Sequence, residues 1–312
     1  MRGALAVFAA AIATAASPVF AATKITLLYT PGDSFTESYV AKDRGIFARH
    51  GLDVTLTVGQ NGSIITAALL ADSAQIGAPT PTVLLQASEQ GVDLIILASA
   101  NRNPVQPPVS ETGIVAREGS GIKTAADLIG RKHAVQGIGG TIDVLTKKWV
   151  EARGADYRKV DWIEMQFPTM PDGLKAGLAD AASVVDPFLH RILDMKAGSL
   201  IGDFGEVMPP GTMVVVYAAT RDWAKAHADA VAAFRASLDG AKKFVEDPAN
   251  ATTVKASIAQ YVHLPPQAAA GIQIPANLDW QPRPEGLAFW IATTREQGLI
   301  KNAPDAATLI AP

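Results

Sequence analysis

Two proline clusters divide an otherwise regular alternation of short apolar runs and helix-spaced ones. The first lies near residues 101–111 (Pro104, Pro107, Pro108) and the second near 207–212 (Met208-Pro209-Pro210-Gly211). Before the first, β-branched and apolar content marks strands at Lys24–Thr30, Leu52–Val58, Gln75–Ala78 and Val92–Ala100. Leu52–Val58 alternates apolar with polar, whereas Val92–Ala100 is continuously apolar and reads as a strand buried on both faces. Helical spacing fills the gaps. Ser34 and Glu37 have the spacing of a capping box, Ile64, Ala67, Ala68 and Ala71 share a face, and Pro81 opens another helix. This β-α-β-α-β-α-β order calls for a mostly parallel sheet with helices on both faces, an α/β fold.

The alternation resumes between the breaks: a strand Thr112–Arg117, a short helix Ala125–Ile129, a strand His133–Gln136, and a glycine turn (Gly137, Gly139, Gly140). A helix then opens at Thr141, with Ile142, Leu145, Trp149 and Val150 on one face. A strand at Val160–Glu164, a helix at Pro171–Ala179, a strand at Ala181–Val185 and a helix from Pro187 follow. After the second break come an apolar strand, Thr212–Ala219, and a long helix that Thr220 can cap. Asp247-Pro248 opens the next helix, and Leu287, Trp290 and Ile291 mark the last. The simplest arrangement places 23–110 plus 212–312 in one lobe and 113–208 in the other. The chain then crosses twice, which makes a two-segment hinge with a cleft between two doubly wound lobes. In open α/β sheets ligands sit beyond the carboxyl ends of the strands. The turns there are Pro31–Phe35, Gly59–Ser63, Ala78–Thr82, Gly137–Thr141 and Asp186–Phe188; they come from both lobes and can converge on that cleft.

The amino terminus reads as a secretory signal over residues 1–22. Arg2 precedes an Ala-rich apolar run, Ala4–Ala16, and the segment ends in small residues with cleavage expected near Ala21 or Ala22. The run is short for a membrane span and Pro18 interrupts it; no later stretch reaches about 18 consecutive apolar residues. The chain has no cysteine, which excludes disulfides, thiolate metal sites, cysteine nucleophiles and a lipid-modified cysteine anchor. An exported, untethered chain is expected in a bacterial periplasm. A net charge of −3 without a clustered basic stripe gives no support for nucleic-acid binding. His50, His133, His190, His227 and His263 lack metal-ligand spacing, and no GxSxG, HExxH or Walker motif occurs. Neither a metal nor a cofactor is expected.

Four blocks carry a family resemblance: Tyr39–Phe47 with His50-Gly51-Leu52-Asp53-Val54; Ile65–Gly77; Ala126–Lys132 running into the glycine turn; and Val184-Val185-Asp186-Pro187-Phe188. In this order they resemble the periplasmic substrate-binding proteins of ABC importers, in the nitrate/sulfonate/taurine and NMT1/THI5-like branch. Asp72-Ser73 stands where that family usually has Ala-Gly. The resemblance covers nearly all of the mature chain. It implies the type II periplasmic-binding-protein fold, hinge closure and delivery of a small solute, by a monomer, to an inner-membrane permease with its ATPase. The family's main options are sulfonate-like or pyrimidine-like solutes. The alternative is an enzyme of the same fold acting on a thiamine-pyrimidine or related metabolite. The synthases of that kind resemble this chain without its export signal and use a cysteine-rich stretch that is absent here.

Candidate ligand-binding residues follow from the cleft turns. Gly139, Gly140 and Thr141 can offer amides and a hydroxyl at a helix start, and Asn61, Gly62 and Ser63 can do so from the other lobe. Ser34, Phe35 and Thr80 lie in the remaining lobe-one turns. Asp186 could accept from a ligand amine or ring N–H. The same polar groups are also good helix caps. Phe35, Tyr39, Phe167, Phe188 and Trp280 are candidate stacking walls, or simply core. No arginine or lysine falls in these turns, so an anion would depend on helix starts and hydroxyls. Asp33 and Asp186 suit a neutral or amine-bearing ligand, and the sequence leaves the choice open.

Overall fold

The first strand, β1 (Thr23–Tyr29), lies inside its sheet, in parallel register with β2 (Leu52–Val58) on one side and β3 (Ile76–Gly77) on the other. The computed structural model describes residues 22–103, 112–276 and 278–312. Residues 1–21 of the expected signal and the prolines at 104, 107 and 108 lie outside the described residues. Helices α1 (Thr36–Asp43) and α2 (Ile46–Arg49) connect β1 to β2. Helix α3 (Gly62–Leu70) connects β2 to β3, and α4 (Pro81–Glu89) leads to β4 (Leu94–Arg102). The nine residues of β4 are all buried, as its continuous apolar run requires.

The second sheet begins with β5 (Thr112–Arg117) and β6 (Lys132–Val135). It continues through α5 (Thr141–Ala152), β7 (Asp161–Glu164), α6 (Met170–Lys175), β8 (Ala181–Val185), α7 (Phe188–Asp194) and β9 (Gly198–Gly202). The chain then returns to the first sheet as β10 (Met213–Thr220). It finishes with α8 (Arg221–Ala226), α9 (Ala228–Glu246), α10 (Ala251–Tyr261) and α11 (Glu285–Glu296). The strand orders are β2-β1-β3-β10-β4 and β7-β6-β8-β5-β9.

Each sheet is mixed rather than mostly parallel. In the first, β10 runs antiparallel between β3 and β4; in the second, β5 runs antiparallel between β8 and β9. The inserted strand is in each case the one that a crossing between the sheets delivers. It arrives without a crossover helix of its own, so it need not lie parallel.

Local physics explains the other departures. The expected capping box does not form: Ser34 lies in a one-turn helix ahead of α1, its hydroxyl accepts from Asn101 Nδ2 at 3.0 Å, and Glu37 turns inward and is buried. The long helix after Thr220 breaks at His227, although Thr220 caps its first part by accepting from Trp223 N. Strand β9, a short Gly-bounded segment, carries no periodic signal and was not expected from sequence. Its Gly202 is a packing necessity, because a Cβ there would lie 2.3 Å from Trp149 of α5. Ile142, Leu145, Trp149 and Val150 form the buried face of α5, and Phe234, Leu238 and Ala241 that of α9. Each large side chain buried this way contributes about 1.5–3 kcal/mol. Helices α4 and α11 of the first lobe pack on α5 of the second, so the lobes are in direct contact.

Candidate functional site

A cavity of about 160 Å³ lies between the carboxyl ends of the strands of both sheets. By volume it has room for on the order of ten water-sized groups. From the first lobe it is lined by Thr30–Phe35 after β1, Thr80 at the head of α4 and Asn101–Asn103 at the end of β4. From the second come Gln136, Thr141, Ile142, Leu145, Phe167 and Val185, and the return crossing adds Asp203, Met208 and Pro210. A smaller void of about 40 Å³ shares Thr80, Gln136, Thr141 and Ile142 with it and is also lined by Asn61, Gly62, Ser63, Gly140 and Glu164.

Ser34, Phe35, Thr80 and Thr141 therefore meet at the main cavity, with Asn61, Gly62, Ser63 and Gly140 beside it. The Thr141 hydroxyl is 3.5 Å from that of Thr82, across the cleft. Asn61 also caps α3, its Oδ1 accepting from Ile64 N at 3.0 Å. Gly139 lines neither space and packs against Gln86, whose Nε2 donates to its carbonyl at 2.8 Å. Three amides of the glycine turn are taken. Gly139 N donates to Asp143 Oδ2 at 2.7 Å, Ile138 N to Glu164 Oε1 at 2.8 Å, and Gly140 N to Gly137 O at 3.1 Å. Burial pushes the Asp143 carboxyl up, and Lys147 at 2.6 Å and the Gly139 amide oppose that. The expectation that Gly139 and Gly140 offer free amides is corrected: a carboxylate and a carbonyl of the same lobe already accept from them.

Asp186 is buried, and only its backbone reaches the cleft: its carbonyl accepts from Asp33 N at 3.3 Å. Its carboxylate sits 2.7 Å from His190 Nδ1. It helps line a separate cavity of about 360 Å³ between α7 and residues 264–273. Burial pushes its pKa up, and the contacts with His190 oppose that rise. The cap reading is nearer to what its side chain does, since Oδ1 also accepts from His190 N at 3.3 Å. Of the aromatic candidates, Phe35 and Phe167 line the main cavity, Tyr39 and Phe188 are core, and Trp280 packs at the margin of the core.

Sequence reasoning missed Asn101, Arg102, Asn103 and Gln136. Each lies at or just past the carboxyl end of a strand, and that position was the available signal: polar residues terminating an apolar run, LASANR and HAVQ. Arg102 brings a guanidinium to a cleft expected to have none, but each of its three nitrogens already donates within the first lobe or the crossing. Nε donates to Asp279 at 2.9 Å, Nη1 to Gly211 O at 3.1 Å, and Nη2 to Gln281 O. Burial lowers its pKa and Asp279 opposes that, and an arginine remains charged regardless. Among the described residues no group of three or more His, Asp or Glu side chains could hold a metal ion.

A family profile described as NMT1/THI5 like matches residues 33–251, most of the chain. The chain belongs to the NMT1/THI5-like family. This family member is 27% identical over 235 residues to the nitrate/nitrite binding protein NrtA of Synechococcus elongatus, an alignment covering 68% of this chain and 52% of that protein. It thus spans about half the length of that relative. Among solved structures, the alkanesulfonate-binding protein SsuA of Xanthomonas axonopodis bound to MOPS superposes with a TM-score of 0.76. The identity is 20%, over 95% of this chain and 99% of that one. The periplasmic nitrate-binding protein NrtA of Synechocystis superposes with a TM-score of 0.76 at 16% identity, covering 91% and 84%. These likenesses establish the fold: the periplasmic-binding-protein type with two α/β lobes joined by two chain crossings.

Proposed function

We propose that this chain is an extracytoplasmic solute-binding protein. It captures a small organic solute between its lobes and delivers it, as a monomer in the periplasm, to the permease and ATPase of an ABC importer. The moving bodies are residues 23–110 with 212–312, and residues 113–208. The observation that carries the reading is the cavity walled by strand ends of both lobes and closed by hydrogen bonds across the cleft. Those bonds are Asp33 N to Asp186 O, Gln86 Nε2 to Gly139 O, and Gln297 Nε2 to Val144 O at 2.9 Å. A solute seated on one lobe gains the second wall only on closure, so its binding energy biases the hinge toward the closed form. Ser34, Phe35, Thr80 and Thr141 are the proposed contacts, with Asn61, Gly62, Ser63 and Gly140 at the rim. Relatives named for nitrate and alkanesulfonate binding support the class of role.

The test needs no guess at the solute. The chain is extracted from its own cell envelope without denaturation and weighed by native mass spectrometry, before and after unfolding and refolding. A small-molecule adduct is expected, lost on refolding, with small-angle scattering showing a wider refolded form. A refolded chain of unchanged mass and shape would remove solute capture. Chemical conversion of the released solute by the refolded chain would point instead to an enzyme.

A further inference from the structure

We infer that the solute is a neutral molecule bearing an amide-type group, with an N–H and a C=O, and not an oxyanion; this rests on the solute-capture reading above. Two side chains in the cavity wall carry it. Asn101, 7% exposed at the end of β4, has Oδ1 without a partner, and Gln136, 9% exposed just past β6, has Nε2 without a partner. Asn101 Nδ2 donates to Ser34 Oγ at 3.0 Å, and its carbonyl oxygen is unused. One wall thus holds an unmet acceptor and the opposite lobe an unmet donor. Each such group is destabilising when buried unpaired. A solute donating to Asn101 and accepting from Gln136 would remove both costs, and only when the lobes are together.

The charges around the cavity oppose an anion. Three Arg102 N–H groups, one on each nitrogen, go to Asp279 and two carbonyls, and Asp203 Oδ1 accepts from Gly205 N within its own turn. Asp33 adds a carboxylate to the lining and has a partner of its own. Just ahead of α5, whose dipole would favour an anion, the carboxylates of Asp143 and Glu164 accept from the Gly139 and Ile138 amides and set negative charge beside the helix start. An incoming nitrate or sulfonate would meet this negative charge, and the arginine of the lining, Arg102, is already paired with Asp279. Phe35, Ile142, Leu145, Phe167, Met208 and Val214 supply the rest of the wall and fit an apolar body attached to the amide.

The refolded, solute-free full chain is screened by thermal shift and then calorimetry against nicotinamide, 2-piperidone and caprolactam, and in parallel against sodium nitrate and ethanesulfonate. At least one amide is expected to raise Tm and the two anions to leave it unchanged. Gln136→Leu should weaken that amide at least tenfold. Gln136→Glu, of the same shape, should weaken it further by placing an acceptor against the ligand carbonyl. Asn101→Leu should also weaken binding; if it fails to fold, the two Gln136 variants decide. Stabilisation by nitrate or ethanesulfonate alone overturns the inference and leaves solute capture intact. Amide binding indifferent to both Gln136 variants overturns it as well. Stabilisation by no probe overturns the amide assignment, while the native-mass adduct separately decides solute capture.

Discussion

Acid should destabilise the second lobe through His133. The ring lies on β6, fully buried, tilted against Trp162 with centroids 5.1 Å apart. Its Nε2 is 2.7 Å from Ser183 Oγ, which is in turn 2.7 Å from Thr146 Oγ1, and its Nδ1 has no partner. Protonation would add both a charge and an N–H with nothing to accept it. Burial accordingly pushes the imidazole pKa down from 6.5 to about 3. Below pH 6.5 the unfolded chain binds this proton and the folded chain does not. The stabilisation is therefore fully present above pH 6.5 and is lost as pH falls toward 3. The loss between pH 6 and pH 4 is about 2.5 kcal/mol. Glu37 and Asp186 act with the opposite sign, because burial raises their carboxyl pKa values and their protonated forms favour the fold at low pH. The readout is therefore a difference. Urea denaturation of the parent and His133→Gln from pH 7 to pH 4 cancels every other group. The stability gap between them should narrow by about 2.5 kcal/mol between pH 6 and pH 4. A gap that stays constant with pH would refute the reasoning.

Three further substitutions probe the frame around the cavity. Gln86→Ala removes one hydrogen bond across the cleft, about 1 kcal/mol from the closed form alone. It should weaken solute affinity about fivefold in calorimetry while leaving the urea midpoint nearly unchanged. Gly202→Ala drives a methyl group into Trp149 and should cost about 1–3 kcal/mol, with a matching fall in Tm. Arg102→Lys keeps the charge but loses the fork that joins β4 to Asp279, Gly211 and Gln281. Urea denaturation should show a loss of about 1–3 kcal/mol; an unchanged midpoint would mean that these contacts do not steady the crossing.

What the sequence made legible was what local pattern determines. The apolar face of α5, the buried run in β4 and the strand–glycine turn–helix at Val135–Thr141 all declare themselves through spacing or turn chemistry. The glycine turn was read as a place for a ligand because glycine freedom and a helix start are both visible in one dimension. The carboxylates that fill it were not so read: Glu164 reaches Ile138 from another strand, and Asp143 from the next turn of the helix. Ser34 and Glu37 had the spacing of a reciprocal cap, yet Asn101, 67 positions away, takes the serine hydroxyl. Arg102, Asn101 and Gln136 went unremarked because nothing local separates a polar residue ending a strand at a cavity from one ending it in solvent.

The placement of β10 bears on how such a chain can be made. Strand β4 has β10 as its neighbour in the sheet, so its nine buried residues stay without that ladder until position 213 and beyond have emerged. Residues 112–202, by contrast, hold every strand of the second sheet and can assemble as soon as they are out. The half synthesised first is thus completed last. A nascent chain of this design carries a sticky, unmatched ribbon until its return strand emerges, and something must shield it meanwhile.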